Sequence, residues 1–463
     1  MASKLMQSLE RFDNDDKYRK KIINNLYSKE HRTANSRLFD EIRKTDKKGI
    51  FKKDPGVVIG YPTGFDPIDY SNGYYSPVID PKTLELVKRV ANIGIMGGSF
   101  VMNIGNSNTG KTTFDVQAAS NIVLPYELGE VFHLDGEHSS NISRIAQLNH
   151  FTSKQIDDKY TMMDLVYIED IYKFIIRLAA IKMASSEYRY NTGLVDVFGR
   201  EIIGIQPTCI IADAIPSFQT KEIGTGDTPE EDEGKKKKLN DDMSGQSYNM
   251  RKAIAYSAFY QQLRPVLYRA NIIFFGINHI KEKPDMGFTK TQAKIQYLKP
   301  NESIPGGSAP IYLSQTMFRF IYGGKFTVEK NGFDGFLVKT QSLKSKTNRS
   351  DRTVNLIFDY ETGFDPVLTL LKLADDSGLV AGRNPYSYFV GNPDVKFSTK
   401  NFRSEIDKKP SIKEILIDIT RPVLNKMLEI GNLEDEEDPS DFSNRLDNAY
   451  SISDEMIDSE AML

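Results

Sequence analysis

The chain has 463 residues, 39% of them apolar and 27% charged, with a formal net charge of −3. Such a length can bury a large core and predicts roughly two or three domains; the apolar and charged fractions are those of an ordinary soluble protein. No apolar run is long enough to span a bilayer and Met1–Glu10 lacks the apolar stretch of a signal peptide, so an intracellular protein with no membrane partner is expected.

The small net charge hides an asymmetry. Residues 1–56 carry basic clusters at Lys17, Arg19, Lys20 and Lys21 and at Arg43, Lys44, Lys47 and Lys48, and read as a helical arm with too few apolar positions for a core of its own. We expect it to dock on something, as an oligomerisation arm. From 57 to 370, β-rich apolar runs alternate with helical patterns, which predicts an α/β core with a mainly parallel sheet covered by helices. The runs are Phe100–Ile104, Val131–Leu134, Cys209–Ala212, Ile272–Ile277, Met317–Ile321, Phe336–Lys339 and Val354–Phe358. A hairpin is predicted at Leu194–Ile205 around Phe198-Gly199, and Lys221–Asp242, with its lysine run, reads as a surface loop. Residues 371–432 read as a small, largely helical region and 433–463 as an acidic disordered tail, with Arg445 as the only basic residue from Glu434 to Glu460. There is no internal repeat, which excludes a solenoid. The single cysteine, Cys209, sits in an apolar run and reads as a small buried side chain. Five scattered histidines without paired cysteines offer little support for a zinc site.

In Val101–Phe114, VMNIGNSNTGKTTF, an apolar strand runs into Gly105-x-x-x-x-Gly110-Lys111-Thr112 and then into a helix-forming segment. That order predicts a phosphate-binding loop, Gly105, Asn106, Ser107, Asn108, Thr109, Gly110, Lys111, Thr112 and Thr113. The glycines let successive N–H groups face the phosphates, and the helix turns its positive end toward the same anion. Lys111 would neutralise the outer phosphates and Thr112 would hold Mg²⁺. The next strand, in VFHLDGEH, ends in Asp135, Glu137 and His138; in parallel α/β folds ligands bind at such strand ends, so Glu137 could orient or deprotonate an attacking water. TCIIAD ends in Asp213, which suits an acid supporting Mg²⁺. NIIFFGINH ends in Asn278 and His279, candidates for sensing a terminal phosphate. After it, Lys281, Lys283, Lys290, Lys294 and Lys299 interleave with Phe288 and Tyr297, cations for a phosphate backbone and aromatic faces for bases. A solvated polar loop would have the same composition.

GIMGGSFVMNIGNSNTGKTTF, FHLDGEH, IIADAIPSF, FGINH, IPGGSAPIY, LKSKTNRS and FDYETGFDPVLTLL together resemble the RecA-type family of strand-exchange recombinases, with spacing most like its T-even bacteriophage branch, over about residues 57–385. The resemblance implies a RecA-like ATPase fold, ATP and Mg²⁺ as cofactors, and Glu137 as the water-activating base. It implies Asp213 as the Walker B acid and His279 in place of a glutamine γ-phosphate sensor. A first DNA-binding loop would lie in Asp242–Asn249, with Ser244 and Gly245, and a second in Ile280–Gly307, closed by Gly306 and Gly307. Lys344 and Lys346 would reach the nucleotide of a neighbouring copy. Three features depart from the pattern: Arg144 stands where a tyrosine meets the adenine, and could stack there instead; Ala214 replaces a serine; and Lys221–Asp242 is longer than usual.

The function expected from the resemblance is ATP-dependent recombination on single- and double-stranded DNA by a helical homo-oligomer. Single-strand-binding and loading proteins would be its partners and, for a phage protein, the host bacterial cytoplasm its location. A hexameric replicative-type helicase, or an ATP-binding filament or mediator protein without useful turnover, would share the same core.

Overall fold

The computed structural model describes residues 58–79, 86–149, 151–195, 201–221, 246–282, 298–299, 301–305, 309–382 and 386–428. The chain divides into two compact units. The larger takes in Val58–Ser76, Arg89–Leu194 and the chain from Glu201 onward; of the smaller, only 77–79, 86–88 and 195 are described. The expected arm 1–56 and acidic tail 433–463 lie outside the described residues, as do Ser244 and Gly245.

The larger unit is a mixed α/β structure on a nine-stranded sheet. In chain order its elements are β1 (Phe100–Gly105), α1 (Lys111–Val123), β2 (Glu130–Asp135), α2 (Ile142–Asn149), β3 (Tyr160–Met163), α3 (Ile168–Ala184), β4 (Thr208–Asp213) and α4 (Gln246–Ala270). They continue with β5 (Ile272–His279), α5 (Ala309–Leu313), β6 (Thr316–Phe326), β7 (Gly335–Lys344), β8 (Arg352–Asp359), β9 (Gly363–Phe364), α6 (Pro366–Asp376), α7 (Phe402–Lys408) and α8 (Ser411–Met427). Across the sheet the order is β9-β8-β7-β6-β1-β5-β4-β2-β3. From β6 to β3 every pairing is parallel, while β6, β7, β8 and β9 form an antiparallel meander.

Each of the seven predicted runs lies inside one of these strands. The sheet is mainly parallel, as expected; the last two runs are its antiparallel members, because the links 327–334 and 345–351 are too short for a crossover helix of the usual dozen or more residues. The predicted hairpin is a two-stranded sheet of Arg189–Val195 and Glu201–Ile205, beginning earlier than expected.

Alternation along the strands explains why both faces are covered. Successive side chains point to opposite faces, so Cys209 and Ile211 of β4 join the cluster around Phe114, Val116 and Ile122 of α1. Ile210 and Ala212 join Ile171 and Ile175 of α3 and Tyr256, Tyr260 and Leu263 of α4. Strands buried on two faces read as continuous apolar runs. Helix α1 has ten of its thirteen residues buried and is therefore enclosed rather than amphipathic; Phe114→Ala in it should cost about 3–5 kcal/mol. A third cluster joins Leu368 and Leu371 of α6, Phe402 of α7 and Ile412 and Leu416 of α8 to Tyr70, Tyr75, Ala91, Ile93 and Ile357.

Candidate functional site: a cleft at the ends of the parallel strands

The register sets Gly105 beside His279 and Asp213 beside Asp135, so the parallel strands end together along one edge. Residues 106–110 leave β1 there and turn into α1. Gly110 caps α1 at φ +83°, and a Cβ on it would lie 2.8 Å from the Phe364 ring, so both conformation and space demand glycine. A Cβ on Gly105 would come within 2.5 Å of the Phe320 carbonyl oxygen. Asn106, Ser107 and Asn108 are exposed, and Thr109 Oγ1 donates to the Asn106 carbonyl at 2.9 Å. Lys111 is buried and folds back on this loop, donating from Nζ to the carbonyls of Asn106 at 2.7 Å and Gly105 at 3.2 Å. Burial pulls its ammonium below the ordinary lysine value, against the nearby charges of Asp213, Asp115 and Glu137. Beneath it, Asn103 Nδ2 donates to buried Asp115.

Thr112 Oγ1 donates to Asp213 Oδ2 at 2.7 Å. Burial pushes the Asp213 carboxyl up to about 6, opposed by that hydrogen bond and by Lys111 but reinforced by the carboxylates of Glu137 and Asp135. The Asp213–Ala214 peptide is cis. Glu137 Oε1 lies 3.2 Å from His279 Nε2, joining the ends of two strands that the sequence separates by 142 residues. Asn278, fully buried, donates to the Pro305 carbonyl at 2.9 Å. Asp135 instead accepts the backbone N–H groups of Ser139 and Ser140, and closes the turn that carries Glu137.

Residues 106–113, Glu137, Asp213 and His279 line a cleft of about 1190 Å³ with Ser139, Ile277, Ile280, Lys299, Glu302, Arg319, Phe320, Ile321, Tyr322, Phe336, Phe358 and Tyr360. The antiparallel strands thus supply an aromatic wall: Phe336 stacks on Phe358 at 4.5 Å and Tyr360, 52% exposed, stands at its edge. Local sequence gave no sign of this wall, because its members come from three strands and a turn. Arg144 is not among the lining residues. Its guanidinium donates to the carbonyls of Tyr360 at 2.6 Å and Glu361 at 2.7 Å and to Gln147, so it holds the turn that bears Tyr360.

Lys344 and Lys346 lie away from this cleft. Lys344 pairs with Met317, which pairs with Met102, three residues short of Gly105 and so about 10 Å back along the sheet at ~3.3 Å per residue. It is buried, with Nζ donating to the Ile311 and Tyr312 carbonyls at 2.8 Å each. Burial, then the charges of Lys346 and Arg264, lower it to about 8. Lys346 is exposed and lines a separate cleft with Arg264, Tyr268 and Gln315. Of the candidate DNA contacts, Lys281 and Lys299 are exposed; Lys283, Phe288, Lys290, Lys294, Tyr297, Gly306 and Gly307 lie outside the described residues.

Among the described residues no three His, Cys, Asp or Glu side chains converge as an all-protein metal cage. Thr112 and Asp213 nevertheless fit Mg²⁺, which is commonly bound through one or two carboxylates, waters and substrate phosphates; a divalent cation would relieve the crowding of Asp213 by Glu137 and Asp135. No helix among the described residues is long and apolar enough to cross a membrane. Neither protein-family models nor curated proteins give a match to this chain.

Proposed function

We propose that the chain is an ATP-dependent DNA recombinase with a RecA-like P-loop core, which assembles on single-stranded DNA and promotes pairing and strand exchange with a homologous duplex. One observation carries the reading: the loop 106–110, the Thr112–Asp213 hydrogen bond and the Glu137–His279 contact lie on one cleft at the ends of the parallel strands. Open α/β sheets bind ligands at such a crevice.

In this reading the triphosphate seats on residues 106–113. Lys111 exchanges its two neutral carbonyl partners for phosphate oxygens, which make stronger charge-assisted hydrogen bonds. Thr112 and Asp213 hold Mg²⁺, which when bound neutralises charge building up on the phosphates. Glu137 orients and deprotonates the attacking water, and His279, in contact with it, reports the terminal phosphate to the segment beginning at Ile280. The base rests on the aromatic wall at Tyr360. Lys344 and Lys346, which belong to the other end of the sheet, serve the nucleotide of the next protomer, so hydrolysis depends on assembly.

Electron microscopy with ATP and single-stranded DNA, together with a strand-exchange assay, tests the reading. Extended helical filaments and exchanged product are expected. Closed rings would replace it with a replicative helicase. Filaments without DNA-stimulated hydrolysis would replace it with an ATP-binding mediator.

A further inference from the structure

Beneath the loop 106–110 lie two polar side chains that the mechanism above leaves unused. Asn103 is on β1, Asp115 is on α1, and both are fully buried. Across the sheet Asn103 stands between Ile277 of β5 and Phe318 of β6, which belong with Val101, Phe114 and Val116 to one apolar cluster. An amide and a carboxyl in such a layer lose their hydration, and the loss is offset only by the contact they make with each other: Asn103 Nδ2 donates to Asp115 Oδ1. Their other oxygens, Asn103 Oδ1 and Asp115 Oδ2, have no hydrogen-bond partner among the described residues. Apolar side chains of the same shape would serve packing as well or better, so packing does not account for the pair.

Its placement points to Lys111. Asn103 precedes Gly105 by two residues and shares its face of β1, while Asp115 follows Lys111 by four and shares its face of α1. A lysine and an acid at that helical spacing are neighbours that ordinarily attract each other. Here each has another partner: Lys111 Nζ donates to the carbonyls of Gly105 and Asn106, and Asp115 takes the Asn103 amide. The choice matters because a hydrogen bond between ionised groups is roughly twice as strong as one between neutral groups. An ammonium held by two neutral carbonyls gives them up to a phosphate, whereas one held by a carboxylate does not do so readily. Burial pushes the Asp115 carboxyl well above its ordinary value, reinforced by Asp213 and opposed by Asn103 and Lys111, so within the pair it has little hold on the ammonium.

We propose that Asn103 is a positioning residue for the phosphate loop: by donating to Asp115 it keeps that carboxyl from capturing Lys111, and so leaves the ammonium on the loop carbonyls for an incoming anion to take. The inference rests on the reading of residues 106–113 as a nucleotide phosphate site. It gives the two members of the pair unequal roles. Loss of the amide frees the carboxyl to bind Lys111, whereas loss of the carboxyl leaves nothing to capture it. A pair that served packing alone would be symmetrical, since either loss orphans one buried polar group.

That asymmetry is measured on the full chain as the affinity for a fluorescent non-hydrolysable ATP analogue with Mg²⁺. Leucine approximates the shape of both side chains. Asn103→Leu should weaken binding by about tenfold or more, while Asp115→Leu and the double replacement should stay within about threefold of the unaltered chain. Asn103→Ala and Asp115→Asn stand in for any leucine variant that thermal melts show to be unfolded, with the same expectations. Equal losses in the Asn103 and Asp115 variants, normal binding by the Asn103 variant, or failure of the double replacement to recover binding would each overturn the proposal. Failure of the unaltered chain to bind the analogue would sink the nucleotide reading instead.

Discussion

In the parallel half of the sheet, β1, β2, β4 and β5 end together and each delivers a polar group to the cleft or to the turn beside it: Lys111, Glu137, Asp213 and His279. The antiparallel half, β6 to β9, faces the same cleft with Phe320, Tyr322, Phe336, Phe358 and the Tyr360 turn, and at its far end holds Lys344. The acids of the first half crowd one another, Asp213 being raised first by burial and then by Glu137 and Asp135. The cations at the far end of the second do likewise, Lys344 being lowered first by burial and then by Lys346 and Arg264. Lys111 offsets the acids only in part, and the carbonyls of Ile311 and Tyr312 that hold Lys344 carry no charge. A metal-bound polyphosphate on one copy, met by the lysines of another, would supply counter-charge to both, and such head-to-tail contacts build rings where the rotation closes and open helical assemblies where it does not.

Substitutions in the parallel half should have the largest effects and should separate two tasks. Lys111→Ala is expected to weaken ATP binding by about a hundredfold or more, while Glu137→Gln should bind normally and lower kcat by about 10²- to 10⁴-fold, leaving DNA-bound assemblies that persist. Titration with a fluorescent analogue and a steady-state ATPase assay measure the two. A normal kcat in Glu137→Gln would remove the base from that half of the sheet.

The antiparallel half should instead act between copies. With Lys344 and Lys346 both replaced by alanine, ATP binding by dilute protein should survive and DNA-stimulated hydrolysis should not. Mixing that protein with Lys111→Ala in equal amounts should restore activity to about a quarter of normal, since a random heterologous interface joins an intact loop to intact lysines that often. Absence of rescue in mixtures shown to co-assemble would place the lysines in their own protomer's site.

A third test follows from Asp213. Its carboxyl titrates near 6 in the folded chain against 3.8 ordinarily, so its contribution favours folding below pH 4 and is lost as pH rises through 6. Asp213→Asn should therefore melt at the same temperature as the unaltered protein near pH 4 and higher at pH 7 and above. The advantage should reach up to about 2–3 kcal/mol, alongside a large loss of hydrolysis. Mg²⁺ with ATP should narrow the gap by stabilising the unaltered protein. Thermal melts across pH show this directly, and no gap at pH 7 would mean that burial and the neighbouring acids do not raise Asp213.

The same division explains what was legible in the sequence. Strands buried on both faces appear as unbroken apolar runs, so β1, β2, β4 and β5 are readable almost to their ends. A run does not encode direction, however, and β6 and β7 extend five residues beyond the apolar stretches that mark them, to Phe326 and Lys344. Strand β3 was missed because it is a short edge with one buried residue in four. Within the site, the loop 106–110 is consecutive and shows as a motif. The Glu137–His279 contact shows only as two separate strand ends, and the Tyr360 wall has no local signature at all.

The smallest expected effect concerns Arg144, which the resemblance sets near the base and which in the fold donates to the carbonyls of Tyr360 and Glu361. The turn at 359–364 is held from three sides: by Arg144 on the carbonyls of Tyr360 and Glu361, by Gln117 on Thr362 and Phe364, and by Arg403 on Asp359, 2.6 Å away, and on Asp365 just beyond the turn. Removing Arg144 leaves two carbonyls that water can reach and leaves the other two holds intact, so Arg144→Ala should weaken nucleotide binding only about two- to threefold. Tyr360→Ala removes the ring itself, and a base–aromatic stack is worth about 1–3 kcal/mol, or about tenfold and upward in affinity. Adding Gln117→Ala to Arg144→Ala should then cost more than the sum of the two alone, since each replacement leaves the turn to the other. Equal losses in Arg144→Ala and Tyr360→Ala would return the base to Arg144 and show that the antiparallel half does not form the recognition wall.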